Sequence, residues 1–123
     1  MKILVVDDSS MVRKVIKAVA NALDMETVEA EDGIEASEKL SEVYEEIGLI
    51  LLDWNMPEKS GYELLVEIKD NEKYKDIPVM MVTTEGQKSN IVAAVRAGAD
   101  NYLTKPFTVE ELEMKIIECI GKE

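Results

Sequence analysis

Three aspartates, a threonine and a lysine close apolar runs in this chain, and together they are suited to phosphoryl chemistry. Asp7-Asp8 ends Ile3-Leu4-Val5-Val6, Asp53 ends Leu49-Ile50-Leu51-Leu52, Thr83 ends Val79-Met80-Met81-Val82, and Lys105 follows Tyr102-Leu103-Thr104. Each run reads as a buried strand. In a parallel α/β sheet the strand C-termini share one edge, and ligands bind in the crevice just outside it. The four signals should therefore meet in one pocket. Carboxylates gathered there repel: a pair about 4 Å apart costs about 4 kcal/mol at an effective dielectric of about 20. Such a pocket either raises a carboxyl pKa or recruits a cation. Mg²⁺ suits it, as a hard ion that takes one or two carboxylates, waters and a phosphate. The chain has no histidine and one cysteine, so nothing in the pocket favours zinc or copper.

The groups divide into roles. A carboxylate can attack phosphorus and form an aspartyl-phosphate, and phosphoryl transfer depends mainly on positioning and on neutralising the equatorial oxygens. Mg²⁺ held by Asp7 and Asp8 would cover one oxygen, Lys105 a second, and the Thr83 hydroxyl or nearby backbone amides a third. Asp53, on the central strand, is then the acceptor. Each part has a plainer reading: Asp7-Asp8 as helix capping with Ser9 and Ser10, Thr83 as a strand-end hydroxyl, Lys105 as a solvated loop lysine. All four together would be coincidences at one sheet edge.

The elements that must position these groups alternate along the chain. Strands are expected near Lys2 to Val6, Glu26 to Ala30, Leu49 to Asp53, Val79 to Thr83 and Asn101 to Thr104. The third and fourth are almost continuously apolar, as strands covered on both faces are. The second alternates polar and apolar, which marks an edge. Asp32, Ser60 and Thr108 each stand three residues before a glutamate, and the Ser and Thr cases read as capping boxes. Val109, Leu112, Ile116, Ile117 and Ile120 repeat at helical spacing, and Gly98 is placed to end the preceding helix. The fold class is α/β: one five-stranded parallel sheet with right-handed crossovers and helices on both faces. Residues 1–123 read as a single domain with no output domain.

The net charge of −12 repels nucleic acid and anionic lipid, so neither is an expected partner. No stretch approaches the roughly 20 apolar residues of a membrane span, and the apolar run after Lys2 is too short for an export signal. The expected location is cytoplasmic. Cys119, among Ile116, Ile117 and Ile120, reads as a small core residue.

Along its whole length the sequence resembles the receiver domains of two-component response regulators, above all the stand-alone chemotaxis members. The resemblance is carried by Asp53-Trp54-Asn55-Met56-Pro57, Met81-Val82-Thr83, and Ala97-Gly98-Ala99 leading to Lys105-Pro106-Phe107. It implies the flavodoxin-like strand order 2-1-3-4-5 and a phosphorylation-activated switch rather than an enzyme. Asp53 would be the phosphoacceptor. Asp8 would bind Mg²⁺ with Asp53 and the Asn55 backbone carbonyl, and Asp7 would hold a metal-bound water. Lys105 would contact the phosphoryl group and join Pro106 through a cis peptide. Thr83 and Tyr102 would be the switch pair, and Asn55 and Glu85 the positions that tune hydrolysis, here toward a short-lived signal. One departure is Thr84, where chemotaxis members usually carry Ala; its bulk would bear on access to Asp53 or on the path of Tyr102.

The resemblance also implies partners. The donor would be the phosphohistidine of a sensor histidine kinase, which a chain without histidine cannot supply itself. The domain is expected as a monomer with a downstream protein target, such as a flagellar motor switch protein, and a phosphatase as a further partner. The output face would include Lys88, Ile91, Val95, Ala99, Tyr102 and Lys115. Moving a two-state domain from 1:99 to 99:1 takes about 5.5 kcal/mol, much of which a buried phosphoryl group with Mg²⁺, Lys105 and Thr83 would provide. A non-chemotaxis phosphorelay or a phosphate sink fits the same residues. A Mg²⁺ phosphohydrolase fits less well, because Asn55 stands where such enzymes carry a second acid. A flavin carrier fits poorly, because Asp7-Asp8 would repel the flavin phosphate. A phosphorylation-independent scaffold would be expected to have lost some of the acidic groups, and all are present.

Overall fold

A computed structural model describes residues 1–56, 59–84 and 88–120. Five strands, β1 (Lys2–Val6), β2 (Glu26–Ala30), β3 (Ile47–Asp53), β4 (Val79–Thr84) and β5 (Asn101–Lys105), form one parallel sheet ordered β2-β1-β3-β4-β5. Five helices connect and follow them: α1 (Ser10–Ala22), α2 (Gly33–Val43), α3 (Gly61–Lys69), α4 (Lys88–Arg96) and α5 (Val109–Ile120). The expected class and strand order are those observed. β1 and β2 have the expected limits. β3 starts two residues earlier, at Ile47, while β4 and β5 each run one residue further, to Thr84 and Lys105.

Side-chain alternation along the buried strands divides the core into two layers. Leu4, Val6, Ile50, Leu52, Val79 and Met81 pack with Leu40, Leu64, Leu65, Ile68 and Ala94 beneath α2, α3 and α4. Ile3, Val5, Leu49, Leu51 and Met80 pack with Ile16, Val19, Ala20, Leu112 and Ile116 beneath α1 and α5. A central strand must be apolar at every position to serve both layers, which is why β3 reads as an unbroken hydrophobic run. The edge strand β2 is mostly half-buried, as its mixed pattern implies.

The helices start where their caps were expected. Ser60 and Glu63 make a reciprocal capping box on α3. Thr108 and Glu111 make the same exchange before α5, with Glu111 N–H donating to Thr108 Oγ1 at 3.0 Å and Thr108 N–H to Glu111 Oε1 at 2.9 Å. Asp32 caps α2 through Glu35 N–H, while the Glu35 carboxylate reaches back one residue further, to Glu31 N–H. Gly98, at φ +104°, turns the chain after α4 in a conformation that side chains disfavour. In α5 the expected apolar set divides. Leu112 and Ile116 are buried, and Ile120 and Cys119 pack at the margin of the core. Val109 and Ile117 are instead exposed: Val109 is the first residue of the helix, and the 3.6-residue period carries Ile117 to the flank of the buried stripe.

Candidate phosphoryl pocket

The register of the sheet brings the polar strand ends together. Val6 pairs with Leu52, Asp53 with Val82, and Thr84 with Lys105, so Asp7, Asp53, Thr83 and Lys105 follow one another along a single edge. Asp7, Asp8 and Asp53 each direct a carboxylate oxygen to a place where these atoms lie within 4.8 Å of one another. Asp7 and Asp53 are buried, and Asp8 is exposed at the mouth.

Asp7 is held at every polar point. Its Oδ1 accepts from Ser9 N–H at 2.8 Å and its Oδ2 from Lys105 Nζ at 3.0 Å. Its backbone N–H donates to the Ala30 carbonyl at 3.1 Å. Arg13 Nη1 donates to the Asp7 carbonyl at 2.6 Å, while Arg13 Nε pairs with Glu29 at 3.0 Å. Arg13 thus ties the β1–α1 turn to the neighbouring strand. Sequence reasoning passed over it, because this contact joins a helix side chain to a backbone carbonyl and leaves no local motif. Ser9 is the α1 N-cap. The capping role first weighed for Asp7-Asp8 therefore belongs partly to Ser9 and coexists with the pocket.

Asp53 closes the central strand. Lys105 Nζ lies 3.6 Å from its Oδ1, and Asn55 N–H donates to the same oxygen at 3.4 Å. Burial is the main cause that lifts its pKa to about 6; the charge of Asp7 adds to this, and Lys105 opposes it. For Lys105, burial works against the charged ammonium. The hydrogen bond to Asp7 and the charges of Asp53 and Asp7 outweigh that burial, and its pKa lies above the ordinary value. The ammonium spans the two buried acids.

Behind Asp53 the backbone is tightly closed. Trp54 N–H donates to the Val82 carbonyl at 2.9 Å, and Gly61 N–H to the Trp54 carbonyl at 3.0 Å. A Cβ placed on Gly61 would lie 2.0 Å from the Asp53 carbonyl oxygen. Only glycine lets the start of α3 approach the acid so closely. Its sequence signal was a glycine at the first position of a capped helix, which reads there as part of a capping motif.

The remaining expected residues fall as follows. Thr83 is buried, and its hydroxyl accepts from Asn90 Nδ2 at 3.5 Å. Thr84 is exposed, and its hydroxyl accepts from Asn55 Nδ2 at 3.4 Å, joining the end of β4 to the loop that follows Asp53. The Lys105–Pro106 peptide is cis. Tyr102 is 38% exposed on the edge strand β5. Lys88 and Val95 are exposed, and Ile91, Ala99 and Lys115 are half-buried. Val92, half exposed between Ile91 and Val95, was missing from the expected face. Glu85 and Pro57 lie outside the described residues. Burial pushes the Cys119 thiol upward, which suits a packing role.

The donor set fits a hard divalent cation: three carboxylates converge, and no imidazole or thiolate lies among them. Both oxygens of Asp7 already accept hydrogen bonds, so Asp8 and Asp53 are the carboxylates with more free ligating capacity.

A doubly wound sheet with an acidic crevice at its C-terminal edge defines a ligand-binding α/β domain of the flavodoxin-like class. Residues 3–117 match the response regulator receiver domain, and the chain belongs to that family. It is 44% identical over 122 residues to a chemotaxis protein CheY homolog of Campylobacter jejuni, covering 98% of this chain and 93% of the relative. It is 43% identical to the chemotaxis protein CheY1 of Helicobacter pylori, with 98% of each chain covered. Among solved structures, chemotaxis protein CheY4 of Vibrio cholerae superposes with a TM-score of 0.85 at 30% identity, covering 97% of each chain. A putative response regulator of Chloroflexus aurantiacus gives 0.91 at 27% identity, covering 98% of each. Phosphorylation-dependent signalling is what membership of this family implies.

Proposed function

We propose that this protein is a cytoplasmic switch that accepts a phosphoryl group on Asp53 from the phosphohistidine of a sensor histidine kinase. The reading is carried by one observation: three carboxylates converge at the end of the central strands while one ammonium, Lys105, bridges the two that are buried. Asp8, Asp53 and the Asn55 carbonyl would hold Mg²⁺, whose charge neutralises phosphoryl oxygens when it is bound.

In the transfer, an Asp53 carboxylate oxygen forms a bond to phosphorus as the phosphorus–nitrogen bond breaks. The electron pair of that bond returns to the imidazole of the donor. Burial leaves Asp53 with little solvation to lose on attack. Lys105, released from Asp53 as that carboxylate becomes an acyl phosphate, donates to one phosphoryl oxygen. Thr83 turns its hydroxyl toward another, and Tyr102 moves inward behind it. The α4–β5–α5 face then binds a protein target, for which a flagellar motor component is our leading candidate. Water later hydrolyses the acyl phosphate, with Asn55 and Glu85 tuning the rate. Catalysis is confined to the protein's own phosphoryl group.

Incubation with the autophosphorylated kinase, or with acetyl phosphate and Mg²⁺, should add one phosphoryl group by intact mass spectrometry. Peptide mapping after reduction of the acyl phosphate should place it on Asp53. A phosphoryl group found elsewhere, or acceptance undiminished in Asp53→Asn, would overturn the assignment.

A further inference from the structure

On β5, Tyr102 stands outward with Lys115 of α5 over its ring, the ammonium 4.8 Å from the ring centroid. A lysine within about 6 Å of a ring centroid is drawn to the negative face of the aromatic ring. This lysine is set in place. Its Nζ donates to Asn101 Oδ1 at 3.3 Å. The same Asn101 oxygen accepts Tyr102 backbone N–H at 2.8 Å, and the Asn101 amide donates to Glu118 Oε1 at 3.0 Å. Asn101 is therefore tied to the strand edge and to α5 together, and it steers the ammonium of Lys115 over the ring next to it.

We infer that Lys115, set by Asn101, is a positioning residue that holds the Tyr102 ring in its outward rotamer and so opposes activation. The inference rests on the reading of Thr83 and Tyr102 as the switch pair. Turning the ring inward separates it from the ammonium. A contact of this kind at a partly exposed site weights the outward state by a factor of about 2 to 5. A ligand at Asp53 that favours the inward ring must overcome that weighting, so removing the contact tightens its binding by the same factor.

Two measurements test this on the full chain without any target protein. By NMR, the Lys115 ε-methylene protons should be shifted upfield by the ring current, and the shift should vanish in Tyr102→Leu. In the second, Mg²⁺-loaded protein is titrated with beryllium fluoride, a stand-in for the phosphoryl group, and followed by Trp54 fluorescence. Lys115→Met and Lys115→Gln should lower the midpoint about 2- to 5-fold, and Lys115→Arg, which keeps the cation, should restore it. Unshifted ε-protons, midpoints equal to wild type in both neutral variants, or an arginine variant that behaves like methionine would each overturn the inference alone. A wild-type protein that does not respond to beryllium fluoride would overturn the switch reading as well.

Discussion

Asp53 and Tyr102 lie on strands of one sheet, yet their surroundings differ in kind. Asp53 is 4% exposed, faces two other carboxylates, pairs with Lys105, and has a glycine helix start packed on its carbonyl. Tyr102 is 38% exposed on an edge strand, with one cation over its ring. Around the acid many interactions fix one geometry, and like charges make that geometry costly. On the outer face few interactions act, so a small bias can change the population. A receiver needs both: a rigid place where binding is strong, and a soft place where modest energy changes shape.

The sharpest way to break this comparison is Asp53→Asn. It should abolish phosphoryl acceptance while leaving the protein folded, because the amide is nearly isosteric. Residual transfer to that variant, measured by intact mass, would show that the buried acid is not the chemical centre.

Gly61→Ala comes next. The added methyl meets backbone rather than a movable side chain, so the start of α3 must retreat or Asp53 must shift. Overpacking of this kind costs about 1–3 kcal/mol, to be read from the urea midpoint, with phosphoryl acceptance falling in parallel. An alanine variant as stable and as active as wild type would show that the pocket is less tightly fixed than its geometry indicates.

The charge cost has its own signature. Asp53 titrates near pH 6 in the folded protein, above the ordinary value of 3.8. Between these values the folded state binds more protons than the unfolded one, so stability falls as pH rises through that window. The full shift would be worth about 3 kcal/mol at about 1.4 kcal/mol per unit. The open mouth of the pocket screens it, leaving about 1–2 kcal/mol. In metal-free buffer, Asp53→Asn should be more stable than wild type by that amount above pH 6, and the gain should disappear below about pH 4. Added Mg²⁺ should stabilise the wild type and not the variant. A pH-independent difference would mean that the cost is not electrostatic.

The smallest effect belongs to the outer face. Val95→Ala, at an exposed position of α4, should change stability by less than about 0.5 kcal/mol and leave beryllium fluoride binding unaltered, while weakening capture of the target. Loss of stability there would erase the contrast with the pocket.

The two regions were also unequally legible in the sequence. Asp7, Asp8, Asp53 and Lys105 announced themselves because each ends an apolar run, and a parallel sheet turns such ends into neighbours. Capping at Ser60 and Thr108 was readable for the same local reason. Arg13, Gly61 and the Asn101–Lys115 pair were not. Arg13 and Gly61 act on backbone carbonyls, and Asn101 meets Lys115 across a gap of 14 residues. No local pattern encodes such contacts. Val92 on α4 was not named for the outer face although it is half exposed, and Ile117 on α5 shares the helical spacing yet lies outside the core, for a related reason. Periodicity gives the direction of a helical stripe but not its width, and the width depends on what packs against it.

The most direct test of the central claim is a fluorescence titration of Trp54, which follows Asp53 and whose ring lies 5.3 Å from the Tyr62 ring, tilted by 41°. Mg²⁺ is added first and beryllium fluoride second, with Asp53→Asn and Asp8→Ala as controls. The account expects a saturable change with Mg²⁺ and a further one with beryllium fluoride that requires the metal, both lost in the two variants. A folded wild-type protein that responds to neither ligand, or variants that respond as the wild type does, would contradict it.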